Sequence, residues 1–178
     1  MDKPAVKECI ANTTVISNFS FVGGLEVLEK LFSVVYITPE VREEIIRGLQ
    51  EGYPFLESAL KQIKISRGWL RLVAFETEEE QANYYQFCIK LHSGEASCLA
   101  IAKNRNWLLL TDDQAARKLA KSSRMELSGT IGILALAAKQ EIISVAEADD
   151  LLAGMVKGNY RSPVASISEL LESLGEEG

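Results

Sequence analysis

Residues 91–120, LHSGEASCLAIAKNRNWLLLTDDQAARKLA, decide the fold class, because they contain a helix, a strand and a second helix in direct succession. Ser93 to Asn104 is rich in alanine and predicts a helix with an apolar inner face. Trp107 to Leu110 is a short apolar run, which is typical of a buried strand. Asp112 or Asp113 then provides the N-cap of a helix that runs to Ala120.

Short β-type runs alternate with helical segments through the rest of the chain, without an internal repeat or a low-complexity segment. Strands separated by one or two helices require right-handed crossovers. We therefore expect an α/β fold with three layers, α/β/α, and a mainly parallel central sheet. The predicted strands are Glu8–Ala11, Val34–Ile37, Leu70–Phe75, Trp107–Leu110 and Met125–Leu127; the further predicted helices are Thr14–Val22, Leu25–Phe32, one opened by Pro39 behind Thr38, one starting at Pro54, Thr77–Leu91, Thr130–Lys139, Ala146–Val156 and Val164–Leu174.

The composition is that of one ordinary globular domain, with 178 residues, 47% of them apolar and 25% charged. The three cysteines lack the spacing of a zinc ribbon or of a secreted disulfide framework. The longest apolar run, Ile131 to Ala138, is far below the roughly 20 residues that cross a bilayer, and the N-terminus has no apolar signal segment. We therefore expect a single domain over residues 1–178 in a cytoplasmic protein without a membrane partner.

The net charge of −6 is unevenly distributed along the chain. Residues 1–140 hold 17 basic and 17 acidic side chains, whereas residues 141–178 hold 2 basic and 8 acidic ones. The second segment is therefore expected to form an acidic helical extension of the same domain. Residues 103–124 have a local excess of positive charge, which suits a phosphate-bearing partner.

Acidic side chains are the strongest candidates for chemistry, because the chain lacks a nucleophile elbow, a phosphate-binding glycine loop and a dinucleotide fingerprint. Each acid also has a structural interpretation. Asp113 can be an N-cap, Glu95 a first-turn acid favoured by the helix dipole, and Glu44 an ion-pair partner of Arg47. Ligands of parallel sheets bind at the carboxyl ends of the strands. By this rule, the polar residues after the first strand and after the Trp107 strand are also candidates for the site.

Five segments of the chain resemble the PIN-domain family, the fold of metal-dependent ribonucleases that includes the toxins of many prokaryotic toxin and antitoxin pairs. They occur in the family's order, and the last three together resemble a PIN-like subfamily with a GEA helix and a DDxxAR segment. The segments are NTTVISN at 12–18, YITPEVREEI at 36–45, LHSGEASCLAIA at 91–102, LLLTDDQAARKLA at 108–120 and GTIGILALA at 129–137.

This resemblance implies an endoribonuclease site in which Glu44, Glu95 and Asp113, with the adjacent Asp112, are catalytic. The same four acids, together with Asn12, would bind Mg²⁺ or Mn²⁺, hard cations that prefer oxygen ligands and activate water for attack on phosphorus. Asn12 departs from the acidic pattern, because its amide offers a neutral oxygen and no charge. A catalytically weakened PIN-like module that binds RNA or a protein is therefore the alternative.

The resemblance also implies partners. RNA is the expected substrate, a protein antitoxin is a possible partner, and the chain is expected to form a homo-oligomer through Tyr84, Tyr85 and Phe87 if these aromatic residues are exposed. Arg117 lies one helical turn beyond Asp113. Its side chain has three alternative roles: it can neutralise the acids, bind phosphate or form a structural ion pair. The expected substrate-binding residues are Thr13, Thr111, Arg117, Lys118 and Lys121.

Overall fold

The structure, a computed structural model, describes residues 7–176 and follows the predicted alternation of strands and helices. Its strands are β1 (Cys9–Ala11), β2 (Val35–Ile37), β3 (Ile63–Lys64), β4 (Leu70–Leu72), β5 (Leu108–Leu110) and β6 (Leu127–Ser128). Its helices are α1 (Thr13–Phe21), α2 (Leu25–Phe32), α3 (Pro39–Gln50), α4 (Glu57–Gln62) after a 3-10 turn (Pro54–Leu56), α5 (Glu78–Phe87), α6 (Ser93–Arg105), α7 (Gln114–Ser122), α8 (Thr130–Lys139), α9 (Val145–Lys157) and α10 (Ile167–Glu176).

The described strands form one sheet in the order β3-β4-β2-β1-β5-β6, and every neighbouring pair is parallel. The predicted three-layer α/β/α fold is therefore confirmed. β1 lies at the centre, with Cys9 opposite both Val35 of β2 and Leu108 of β5. Because all strands run in the same direction, their carboxyl ends meet at one edge of the sheet, where the predicted site residues follow β1 and β5.

Strand β3 was not predicted from the sequence, because a two-residue strand carries no periodic signal. It exists through parallel pairing with β4, which places Ile63 opposite Leu70. The predicted strand Leu70–Phe75 is also too long, since it ends at Leu72 and the Ala74 carbonyl accepts a hydrogen bond from the Arg105 side chain. Both differences arise from tertiary contacts.

Side-chain caps start several helices where the sequence predicts them. Thr38 accepts a hydrogen bond from the Val41 backbone N–H, and Thr77 accepts one from Glu80. Asp113, rather than Asp112, caps α7. The predicted helix Thr77–Leu91 ends earlier, at Phe87, after which the chain turns into α6.

The acidic C-terminal segment packs on the rest of the fold. Ala148, Leu152 and Met155 of α9 and Ile167 of α10 are buried in the hydrophobic core. The last helix starts at Ile167 instead of the predicted Val164, because Asp149 accepts hydrogen bonds from the backbone N–H groups of Ile167 and Ser168. No helix in residues 7–176 is long and apolar enough to span a membrane.

A buried ion pair joins α5 to α6. The Arg105 Nε donates to Glu80 Oε1 at 2.6 Å, and Arg105 Nη2 donates to Glu80 Oε2 at 3.1 Å. These hydrogen bonds lower the pKa of Glu80 despite its burial. The guanidinium also lies 5.1 Å from the centre of the Trp107 ring, which stacks on Tyr36.

Glu80→Gln should reduce the free energy of unfolding by about 2 kcal/mol at neutral pH, because it leaves a half-buried arginine without its charged acceptor. Since the folded-state pKa of Glu80 is lowered, the pair stabilises the protein above the ordinary glutamate pKa and loses this effect as the pH falls through the lowered value. Urea unfolding at two pH values measures both effects. Glu76→Gln is the matched control, since the exposed Glu76 carboxylate lies 3.5 Å from the same arginine and should matter little.

Candidate active site at the carboxyl edge of the sheet

A buried hydrogen-bond network joins the ends of β1 and β5. Asn12 is 1% exposed; its Oδ1 accepts from the Thr14 hydroxyl at 2.6 Å, and its Nδ2 donates to Thr111 Oγ1 at 2.7 Å. The two threonine oxygens in turn accept from the backbone N–H groups of Asp112 and Asp113, each at 3.1 Å. The network therefore fixes the start of α1 against the loop that precedes α7.

Glu44 joins three helices through its carboxylate. Thr13, at the start of α1, donates its hydroxyl to Oε2, and the Gly94 backbone N–H at the start of α6 donates to Oε1 at 3.1 Å. A Cβ at position 94 would lie 2.5 Å from Oε1, so the close approach requires glycine. The Glu44 carboxylate therefore contacts Thr13 and Gly94, rather than Arg47, the ion-pair partner considered from the sequence.

Glu95 has the most unusual environment of the predicted acids. It is half-buried, and its Oε2 is a buried oxygen without a hydrogen-bond partner in the described part of the chain. Burial raises the pKa of Glu95 most, and the negative charges of Glu44 and Asp113 raise it further. A buried, unpaired carboxylate oxygen beside two other acids favours a proton or a cation as its partner.

Asp113 has the structural role considered for it, because its Oδ1 accepts from the Ala116 backbone N–H at 2.7 Å and caps α7. The second carboxylate oxygen of Asp113, Oδ2, takes no part in this capping hydrogen bond. The negative charge of Asp113 contributes to the raised pKa of Glu95, after burial and the charge of Glu44. A capping role and a place in the acidic site are therefore compatible for Asp113.

Asp112 accepts several hydrogen bonds from other elements. Its Oδ1 accepts from the Thr130 backbone N–H at 2.9 Å, and its Oδ2 accepts from the Thr130 hydroxyl at 2.5 Å and from Asn18 Nδ2 at 3.1 Å. The pKa of Tyr160 is raised, first by burial and then by the neighbouring Asp112 carboxylate. Asp112 therefore anchors the start of α8, and it is less available to a ligand than Glu95.

Arg117 binds the protein backbone at the end of β5. Its Nη1 donates to the Thr111 carbonyl at 2.8 Å. Gly129 permits this arrangement, since a Cβ there would lie 2.8 Å from Nη1 and 2.5 Å from Asp112 Oδ1. Of the predicted substrate-binding residues, Thr13 and Thr111 bond within the site, whereas Lys118 and Lys121 are exposed on the same helix as Arg117.

The residues at this edge fit a hard cation only in part. In residues 7–176, no three His, Cys, Asp or Glu side chains are grouped closely enough to hold a metal ion by themselves. Mg²⁺ is commonly held by one or two carboxylates, with water and substrate phosphate as its other ligands. The unpaired Glu95 Oε2, with the charges of Glu44 and Asp113 nearby, fits that type of incomplete site.

Three residues of the site were missed from the sequence. Asn18 lies one helical turn after Thr14, so the helical period could have found it. Thr130 was predicted only as the start of a helix, and its hydrogen bonds to Asp112 depend on where α8 packs. Tyr160 is far away in the sequence, and no local pattern connects it with Asp112.

Comparison with known proteins gives one positive result. A family model described as a PIN domain matches residues 8–176. The match contains all five of the segments on which the resemblance rests. No curated protein matches the chain.

Glu95→Gln should stabilise the metal-free protein at neutral and alkaline pH. The folded-state pKa of Glu95 is raised, so the stability associated with its protonated form is lost as the pH rises from 4.5, the ordinary glutamate value, through the raised value. Glutamine stays uncharged, so the variant does not lose this stability as the pH rises. Thermal melts should give the variant a Tm a few degrees above that of wild type at pH 8, with a smaller difference near pH 4.5. Glu43→Gln, at an exposed glutamate, is the control; a variant less stable than wild type at every pH would contradict the prediction.

Asn12→Asp should lower the Tm without metal and increase the stabilisation by millimolar Mn²⁺. The substitution adds a buried negative charge near the other acids, which costs stability until a cation compensates it. Asn83→Asp is a matched control, because Asn83 is also buried but accepts from Lys103 outside the site. An unchanged response to Mn²⁺ in Asn12→Asp would argue against a cation at this edge.

Proposed function

We propose that this chain, which belongs to the PIN-domain family, is a metal-dependent endoribonuclease that uses Mg²⁺ or Mn²⁺. The family indicates a nuclease-like fold. The observation that carries the finer proposal is the buried, unpaired Oε2 of Glu95, whose pKa is raised by burial and by the charges of Glu44 and Asp113. Such a group at the carboxyl edge of a parallel sheet is suited to catalysis.

The residues of the site have distinct roles in this proposal. Glu95 Oε2 accepts a proton from the attacking water, because this buried oxygen has no hydrogen-bond partner within residues 7–176 and lies at the acidic edge. Thr13 and the Gly94 N–H hold the Glu44 carboxylate in place beside it. Asp112 is a positioning residue, through its bonds to Thr130 and Asn18. Bound Mg²⁺ or Mn²⁺ would supply positive charge next to the scissile phosphate.

RNA is the proposed substrate, and the positive charge on α7 supports it. Arg117 Nη1 donates a hydrogen bond to the Thr111 carbonyl, so the other guanidinium nitrogens are proposed to bind phosphate. Lys118 and Lys121 are exposed on the same helix and can follow the RNA backbone. A protein antitoxin as the inhibiting partner is part of the same proposal, on the basis of the family resemblance.

A homo-oligomer is also proposed. Of the three aromatic residues considered for the contact, Phe87 is buried, Tyr84 is half-buried and Tyr85 is 70% exposed. Ile89, four residues later in the turn that follows α5, is 80% exposed, and these two side chains define the surface proposed here for the contact. This surface supports a contact between copies of the chain through Tyr85 and Ile89, with Phe87 inside the core.

A second candidate is a catalytically weakened module that binds RNA or protein. Asn12 favours it, because this residue brings no charge and its Oδ1 already accepts a hydrogen bond from Thr14. The carboxylate of Asp112 is likewise engaged by donors of the protein. Under this alternative, RNA binding persists without cleavage.

Cleavage of a fluorescent mixed-sequence RNA tests the proposal. Wild type should cleave with Mn²⁺ and stop when a chelator is added, and Glu95→Gln should reduce the rate by about 100-fold or more, because it removes the proton acceptor. Glu43→Gln, at the exposed acid next to Glu44, should cleave at the wild-type rate. Equal rates for wild type and Glu95→Gln would contradict the proposed site, and binding without cleavage would support the weakened module.

A further inference from the structure

A second concave feature lies next to the acidic edge. It is a cleft of about 270 Å³ between α1, the 3-10 turn and the end of α9. Its lining combines aromatic rings with polar and basic side chains. The lining residues that matter here are Asn18, Phe21, Tyr53, Phe55, Lys157 and Asn159.

The aromatic rings of the cleft are exposed although they are packed in a defined arrangement. Phe21 is 43% exposed and Tyr53 is 52% exposed. Phe21 meets Phe55 edge to face with 5.2 Å between the ring centres, and Tyr53 is tilted against Phe55 at 6.0 Å. Gly158 lets the end of α9 lie against the Phe21 ring, which a Cβ at that position would overlap. Phe21 and Tyr53 therefore pack against neighbouring groups and still keep about half of their surface exposed.

Polar and basic side chains of the cleft are of the types that recognise a base and a phosphate. The amides of Asn18 and Asn159 offer both donors and acceptors, and Lys157 is an exposed cation. Asn18 Nδ2 is directed at Asp112 and Thr130, so its carbonyl oxygen is the end that remains for a ligand. Stacking on an aromatic face, with an amide at the base edge, is how proteins bind bases of single-stranded RNA.

Helix α1 connects the cleft to the acidic site. Thr13, which bonds to Glu44, and the cleft residues Ser17 and Phe21 follow one another at intervals of four, so they share one face of the helix. Thr13 and Phe21 are separated by about 12 Å along the helix axis. Tyr160, whose pKa is raised by burial and by the Asp112 carboxylate, directly follows the cleft residue Asn159. A strand of RNA at the acids would reach the cleft within a short length.

We infer that this cleft is a nucleobase subsite, in which an unpaired base of single-stranded RNA stacks on Tyr53 and Phe21 while Lys157 contacts its phosphate. The inference rests on the proposed function for its ligand class, and it adds a determinant of substrate choice to the acidic site. A chain that cuts RNA at the acids would then prefer sites at which a neighbouring nucleotide is unpaired.

Binding of a short fluorescein-labelled oligoadenosine in a chelator tests the subsite without cleavage. Tyr53→Ala should weaken binding about fivefold or more at fixed salt, because it removes a stacking surface. It should have little effect on binding of an otherwise identical abasic oligonucleotide. Ile65→Ala is the control, since it removes an exposed apolar side chain outside the cleft and outside the proposed contact between copies; thermal melts verify that both variants fold.

Several outcomes would overturn the subsite. They are an unchanged affinity in Tyr53→Ala, an equal loss in Ile65→Ala, an equal loss for the abasic oligonucleotide, or no binding of oligoadenosine by wild type. In the first case a protein segment becomes the better occupant of the aromatic cleft. The Glu95→Gln cleavage assay is independent of this measurement, so failure of the subsite and failure of the proposed nuclease are distinguishable. Tyr53-dependent binding by a protein that does not cleave would support the subsite alone.

Discussion

The hydrogen bonds of Asn12 are the constraint on which the candidate site depends. Asn12 is buried at the carboxyl end of the central strand, where every polar group needs a partner. It finds them in Thr14 and Thr111, whose oxygens accept the backbone N–H groups of Asp112 and Asp113. One side chain thereby fixes the ends of two neighbouring strands and the starts of the helices that follow them.

The acidic side chains at this edge are compensated to different degrees. Glu44 is compensated by the Thr13 hydroxyl and the Gly94 N–H, and Asp113 by the first turn of α7. Within residues 7–176, no group donates a hydrogen bond to Glu95 Oε2, and the raised pKa of Glu95 reflects burial beside two like charges. The burial of Glu95 is therefore unfavourable until a ligand provides a partner for Oε2. The Glu80–Arg105 pair shows that the same fold can provide a buried glutamate with its hydrogen-bond partners.

The neighbouring aromatic cleft has a related explanation. Isolated apolar side chains are common on protein surfaces, but several packed rings with free faces beside polar groups mark a binding surface. Helix α1 carries Thr13 towards the acids and Phe21 into the cleft. The C-terminal segment also contributes to both places, through Tyr160 near Asp112 and Lys157 at the cleft. An acidic segment that sequence reasoning treats as an extension therefore contributes to the surface proposed to bind RNA.

The sequence by itself determined the fold class, most helix starts and the acids worth examining. These follow from local physics: hydrophobic periodicity, the capping chemistry of Thr38 and Asp113, and the rule that parallel strands end at one edge. The family resemblance supplied the specific set of Glu44, Glu95 and Asp113. Only the tertiary structure decided which of these acids has an oxygen without a hydrogen-bond partner in the described part of the chain. Asp112 and Asp113 are adjacent in the chain, yet Asp112 meets Thr130 and Asn18 whereas Asp113 caps its own helix. The short strand β3, the role of Tyr160 and the aromatic cleft likewise depend on contacts between residues far apart in the sequence, which no local pattern encodes.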